Sequence, residues 1–149
     1  MRMEYKVLIS KSMLTVKKAF LDKDCKLMNK LLPFGCGVLK FPGIRRRAII
    51  SVYTWFFKTF HFKVVMCNTT DQQYYFHIVN EGDLPFGIKL WTNRYKIVKT
   101  KDGCEIINLV EYTTKNITLD KILSVFITMM FQIRKLKYKM FFLFKKHGE

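Results

Sequence analysis

Glu105 and Glu111 are the first residues whose spacing suggests chemistry, because an even separation on a strand puts both carboxylates on one face. Six positions of extended chain hold them about 20 Å apart, too far for joint acid–base work. They read as a solvated face. Cys25, Cys36, Cys67 and Cys104 contain no CxxC pair, and no histidines stand at zinc-ligand spacing. They read as free thiols, mostly buried, in a reducing compartment. His77 closes the aromatic run Tyr74, Tyr75, Phe76, whose alternate members point to opposite faces of a strand. A lone histidine there reads as a hydrogen-bonded structural residue. Neither Ser51 nor any cysteine has a histidine close by in a recognisable nucleophile motif. No catalytic residue, metal site or cofactor is assigned.

The formal net charge of +16 admits two readings. It can mark a surface for nucleic acid or anionic membrane. It can also be compositional background, since Lys far outnumbers Arg and comes with abundant Ile, Asn, Phe and Tyr, as in proteins of AT-rich genomes. Phosphate recognition favours Arg where bidentate geometry matters, and only Arg45, Arg46 and Arg47 cluster. Background is the reading adopted, which leaves nucleic acid disfavoured as a partner. The residues 135–146 interleave lysines with Phe141, Phe142 and Phe144, a pattern suited to an anionic membrane surface.

The elements that must position these residues follow from hydrophobic period. A chain of 149 residues with 50% hydrophobic content builds one domain, expected over 1–149. The start alternates apolar and polar residues rather than presenting an export signal, and the uncharged run 122–133 is too short to span a bilayer. A cytoplasmic protein is expected. Residues 3–10 alternate as a first strand, with Tyr5, Val7 and Ile9 on one side. Ser10 or Ser12 can cap a short helix over 13–21, and a second short helix follows over 25–32. Pro33 and the glycines Gly35, Gly37 and Gly43 predict a turn-rich stretch. Strands are expected over 45–56, 61–67, 72–80, 86–99 and 104–113, joined by short turns into an antiparallel meander. Asp102-Gly103 is expected to supply the positive φ of a tight hairpin. A long helix opens at 116–118 with Thr118 as its cap. Leu119, Ile122, Leu123, Phe126, Met130 and Ile133 form its expected buried stripe, widened by Val125, Ile127, Met129 and Phe131 until several sides need covering.

This order of elements, with Leu84-Pro85-Phe86, Trp91-Thr92-Asn93-Arg94-Tyr95, Asp102-Gly103-Cys104, Asn108-Leu109-Val110-Glu111-Tyr112 and Phe131-Gln132-Ile133-Arg134, resembles the SRPBCC superfamily, the START-like helix-grip proteins. Its small bacterial ligand-binding type is the nearest in wording, over 82–142. The resemblance implies an α+β helix-grip fold: a curved antiparallel sheet wrapped around a long C-terminal helix, with two short helices after the first strand. The family's two histidines fall on Trp91 and Asn93, its tryptophan on Lys89, and its last-strand acid on Asn108. Neither indole nor carboxamide titrates near neutral pH, so a proton-transfer role at those positions is lost.

The resemblance also implies an elongated cavity between sheet and helix that holds a lipid, polyketide or aromatic metabolite. Trp91, Asn93, Asn108 and Tyr112 are its expected polar points, and Phe126, Met130 and Ile133 its helical wall. Tyr75 and His77 complete the expected ligand contacts. Binding or carriage of a small lipophilic ligand is the leading function. A cyclase- or dehydratase-like enzyme in the same cavity and a basic adaptor for membrane or nucleic acid are the alternatives.

Overall fold

The computed structural model describes residues 1–33, 35–55 and 58–144. In chain order they form β1 (Arg2–Ile9), α1 (Met13–Leu21), α2 (Lys26–Leu31), β2 (Gly37–Lys40), β3 (Ile49–Tyr53), β4 (Thr59–Thr69), β5 (Gln73–Glu81), β6 (Leu90–Thr100), β7 (Gly103–Thr113) and α3 (Ile117–Leu143). The strands make an antiparallel sheet of order β1-β7-β6-β5-β4-β3-β2. Short turns dictate the β3-to-β7 meander, and β1 returns to pair with β7 so that Tyr5 lies opposite Asn108. The register of β4 slips between Val64 and Met66, a bulge that bends the strand and adds to the curl of the sheet. The sheet grips α3, as expected of a helix-grip fold.

Local chemistry explains the element ends. Ser12 stands just before α1 and its Oγ accepts from the Thr15 amide at 3.2 Å. For α3 the cap is Asn116, not Thr118: Asn116 is extended, with φ −155°, and its Oδ1 accepts from the Leu119 amide at 2.8 Å. Thr118 already lies inside the first turn. Asp120, also in that turn, accepts from the Thr114 amide and hydroxyl at 3.0 and 2.7 Å, tying the helix start to the end of β7.

Four further expectations, about strands and turns, change. The turn-rich stretch contains a strand, β2, at the sheet edge. Arg45, Arg46 and Arg47 do not begin a strand but occupy an exposed turn, in which Ala48 N donates to Arg45 O at 3.0 Å and Arg47 takes φ 70°. β6 starts at Leu90 because Phe86 and Gly87, at φ 61° and 70°, turn the chain first. The β6–β7 hairpin needs no positive φ; Gly103 is required for space instead. A Cβ there would collide with the backbone carbonyl of Ile9 and lie 3.1 Å from the Lys11 amide nitrogen. Gly103→Ala is expected to lower stability by about 1–3 kcal/mol in urea denaturation, because β1 must move off β7 to admit the methyl. An unchanged midpoint would show that the approach is not tight. The expected ends at Phe56 and at Lys145 and Lys146 lie outside the described residues.

The face of α3 is the largest difference. Ile127, Phe131, Arg134, Tyr138 and Phe142 are buried against the sheet, a stripe turned by about one residue, ~100°, from the expected one. Large rings decide it. Phe131 stacks on Tyr5 with centroids 4.3 Å apart, and Phe20 of α1 packs between Phe76, Tyr95 and Tyr138 at 5.6–6.1 Å. Ile122, Phe126, Met129, Ile133, Leu136 and Met140 are left 51–59% exposed.

Candidate ligand groove

Alternation along each strand selects the side chains that face α3. Val52 on β3, Phe60 and Phe62 on β4 and Trp91 on β6 form a floor, because the pairs Val52–Phe60 and Ile50–Phe62 keep those positions in phase across the sheet. Leu123, Phe126, Ile127 and Met130 of α3 form the facing wall. Leu32, Pro33 and Cys36 after α2 and Leu84 to Ile88 before β6 complete the rim. Together they enclose an open groove of about 640 Å³.

Two anchors hold this space open. The Tyr112 hydroxyl donates to the Asp120 carbonyl at 2.8 Å, fixing the start of α3 over β7, while the Tyr112 ring stacks with Trp91 at 6.0 Å. On the other side, Asn80 Oδ1 accepts from the Trp91 amide at 2.9 Å and its Nδ2 donates to the Gly82 carbonyl at 2.8 Å. One carboxamide thereby pins the rim loop to the strand that supplies the floor. Among the lining residues the polar side-chain groups are the Thr54 hydroxyl, the Cys36 thiol and the indoles of Trp55 and Trp91. Among the described residues the lining contributes no carboxylate, imidazole, ammonium or guanidinium.

The residues singled out by sequence divide three ways. Trp91, Phe126 and Met130 line the groove. Asn93, Asn108 and Tyr112 share the inner face but stand behind the lining, each at most 3% exposed. Asn108 Nδ2 donates to Asn93 Oδ1 at 3.2 Å, Asn93 Nδ2 donates to the Tyr95 hydroxyl at 3.0 Å, and Arg134 Nη1 approaches that hydroxyl at 3.5 Å. These amides therefore build an internal polar chain toward Arg134 rather than a groove wall. Tyr75, His77 and Ile133 lie elsewhere. Ile133 faces outward, and Tyr75 and His77 sit on the opposite face of the sheet, across from Lys96 and Arg94, because Tyr74 and Phe76 take the inner positions. Sequence reasoning missed Phe60 and Phe62, whose period-2 spacing was a signal, and the rim loops, which carried none.

His77 has its own chemistry on the outer face. Burial lowers its pKa from the ordinary 6.5, Arg94 lowers it further, and Glu111 opposes both. Its Nε2 is buried without a partner. The folded state thus holds a neutral imidazole that the unfolded chain protonates more readily. Stability is present above pH 6.5 and falls as pH drops through that value toward the depressed folded pKa, then levels. Denaturation at pH about 7.5 and about 5.5 is expected to show this loss in the wild type and a smaller one in His77→Phe. Equal losses in both proteins would assign the acid sensitivity to other groups.

All four cysteines are free, and among the described residues no three His, Cys, Asp or Glu side chains converge on a metal position. No helix of the described residues is long and apolar enough to cross a membrane. No family model matches the chain, and no curated protein sequence matches it. Solved structures do. The fold is similar to protein Ms6760 of Mycobacterium smegmatis, with TM-score 0.66 and 10% identity, covering 94% of this chain and 89% of that one. A Rhodobacter sphaeroides protein superposes with TM-score 0.68 at 11% identity, covering 98% and 95%. Norcoclaurine synthase of Thalictrum flavum gives TM-score 0.59 at 16% identity, covering 91% and 85%. With its sheet, short helices and gripped α3 in the same arrangement, this chain has the helix-grip fold of those proteins.

Proposed function

We propose that the chain is a single helix-grip domain over 1–149, of the SRPBCC superfamily and its small bacterial ligand-binding type, that binds or carries a small lipophilic molecule in the groove between sheet and α3. The observation that carries the reading is the groove itself. Its volume of about 640 Å³ lies in the range of ligand sites, and its lining is apolar except for isolated hydroxyl, thiol and indole groups. Trp91, Phe126 and Met130 contact the ligand, with Met130 as an adaptable surface. Asn93, Asn108 and Tyr112 act behind them by holding the floor and the helix in place.

Catalysis of the cyclase or dehydratase kind in the same groove would need an acid–base pair, and the described residues of the lining offer none. A nucleic-acid adaptor would need a shaped cationic face, and the three clustered arginines share one short exposed turn. Free thiols suit the reducing cytoplasm as the site of action.

Titration with Nile red, a neutral hydrophobic dye, tests the reading. Saturable fluorescence enhancement with about one dye per chain, displaced by an apolar competitor, is the expected result. A protein that gives no enhancement would overturn it.

A further inference from the structure

The outward face of α3 is apolar where a helix lying on a sheet ordinarily meets water. Ile122, Phe126, Met129, Ile133, Leu136 and Met140 follow one another in steps of four and three, which keeps them on a single stripe directly opposite the buried one. Each is more than half exposed. At 1.5 Å per residue the stripe from Ile122 to Met140 runs for about 27 Å. At 100° per residue Lys121, Lys135 and Lys139 fall together along one border of it. Asp120 is the one acidic residue of α3, and it is engaged by Thr114.

That charge pattern selects the occupant. A second copy of the chain would bring another +16, and the one carboxylate on its own α3, Asp120, is already engaged by Thr114. An anionic bilayer supplies both the negative charge and the apolar depth. No helix of the described residues can cross such a bilayer, so α3 would lie in its plane.

The groove adds a second, independent observation. Phe126 belongs both to the stripe and to the groove lining, and the rim residues Trp55 and Phe86 are each 69% exposed beside it. Toward the C-terminal end, a notch of about 300 Å³ between α2 and α3 is lined by Phe141 and by the amine-bearing Lys30 and Lys137. Lys30 Nζ lies 5.5 Å from the Phe141 ring centroid. Aromatic rings thus stand at the groove end of the stripe, and an aromatic ring with cationic groups at its C-terminal end.

We propose that the outward face of α3 docks in the plane of an anionic lipid leaflet, with Lys121, Lys135 and Lys139 against the headgroups and the mouth of the groove opening toward the lipid. The docking stands on the helix face alone; only the passage of ligand between leaflet and groove rests on the binding function proposed above.

Flotation with vesicles tests it. The full chain is mixed with vesicles of equal parts phosphatidylglycerol and phosphatidylcholine, or of phosphatidylcholine alone, at low and high salt. Each lysine near an anionic leaflet contributes about fivefold, so the three predict roughly hundredfold tighter binding to the anionic vesicles, lost at high salt. The double variant Met129→Glu/Leu136→Glu changes two exposed residues outside the groove lining. It is expected to lose vesicle binding and keep Nile red binding. Wild-type protein that stays off anionic vesicles, or a double variant that binds them as tightly as wild type, would overturn the proposal. A wild-type dimer in light scattering that the double variant splits would assign the face to a second copy and overturn it equally. Vesicle binding without Nile red uptake would leave the docking in place while removing the groove function.

Discussion

Leu123→Asp is expected to weaken binding of an apolar ligand by at least about a hundredfold while the protein stays folded. Leu123 stands half-buried on the α3 wall of the open groove, where a carboxylate keeps contact with water as long as no ligand is bound. A ligand that fills the groove must strip that carboxylate of water, and among the described residues no basic side chain lines the groove to pair with it. Leaving a charge desolvated and unpaired costs several kcal/mol, and each ~1.4 kcal/mol is tenfold in affinity. Leu123→Met keeps shape and polarity and is expected to bind like wild type. Nile red titration reads both. Equal affinities for the Asp and Met variants would place the ligand somewhere other than between Leu123 and the floor.

Arg134→Met is expected to make the protein more stable. Arg134 is 7% exposed on the sheet-facing side of α3, and the ion pairs among the described residues, Arg2–Glu111 and Lys6–Glu4, do not include it. Its Nε has no partner, its Nη1 reaches the Tyr95 hydroxyl only at 3.5 Å, and its guanidinium carbon sits 4.5 Å from the Phe131 ring centroid. The ring contact recovers about 1–2 kcal/mol, against several for taking the cation out of water. An apolar side chain of similar length removes that cost and keeps the packing, so a gain of about 1–4 kcal/mol in urea or thermal unfolding is expected. Arg134→Ala would not test this, because the cavity it leaves has its own cost. A lower midpoint for Arg134→Met would mean that the guanidinium is compensated by something beyond these contacts.

The sequence made much of the scaffold legible because local rules govern it. Ser12 and the 13–21 helix follow from one capping oxygen and one apolar stripe, and they stand where expected. The strand interiors follow from period-2 alternation, and the long C-terminal helix from sustained apolar content. The face of α3 was not legible, since apolar residues surround it and periodicity then selects no side. Packing of Phe131 on Tyr5 and of Tyr138 against Phe20 makes the choice, and those contacts join residues far apart in the chain. The same limit put Tyr75 and His77 among the expected ligand contacts. Alternation says that Tyr74 and Tyr75 point opposite ways but not which one points inward; Phe20 beside Phe76 decides that. At the groove, Trp91 was suggested by the resemblance and Phe126 and Met130 by their place on the long helix, and all three are in the lining. The rim at Leu84 to Ile88 was not, because it depends on positive φ at Phe86 and Gly87 and on the Asn80 carboxamide.

Native mass spectrometry of the full chain as purified, followed by solvent extraction and identification of what travels with it, tests the groove most directly. The account predicts a one-to-one adduct with a lipophilic small molecule, reduced or absent in Leu123→Asp and retained in Leu123→Met. A bare chain that also fails to take up Nile red would contradict it.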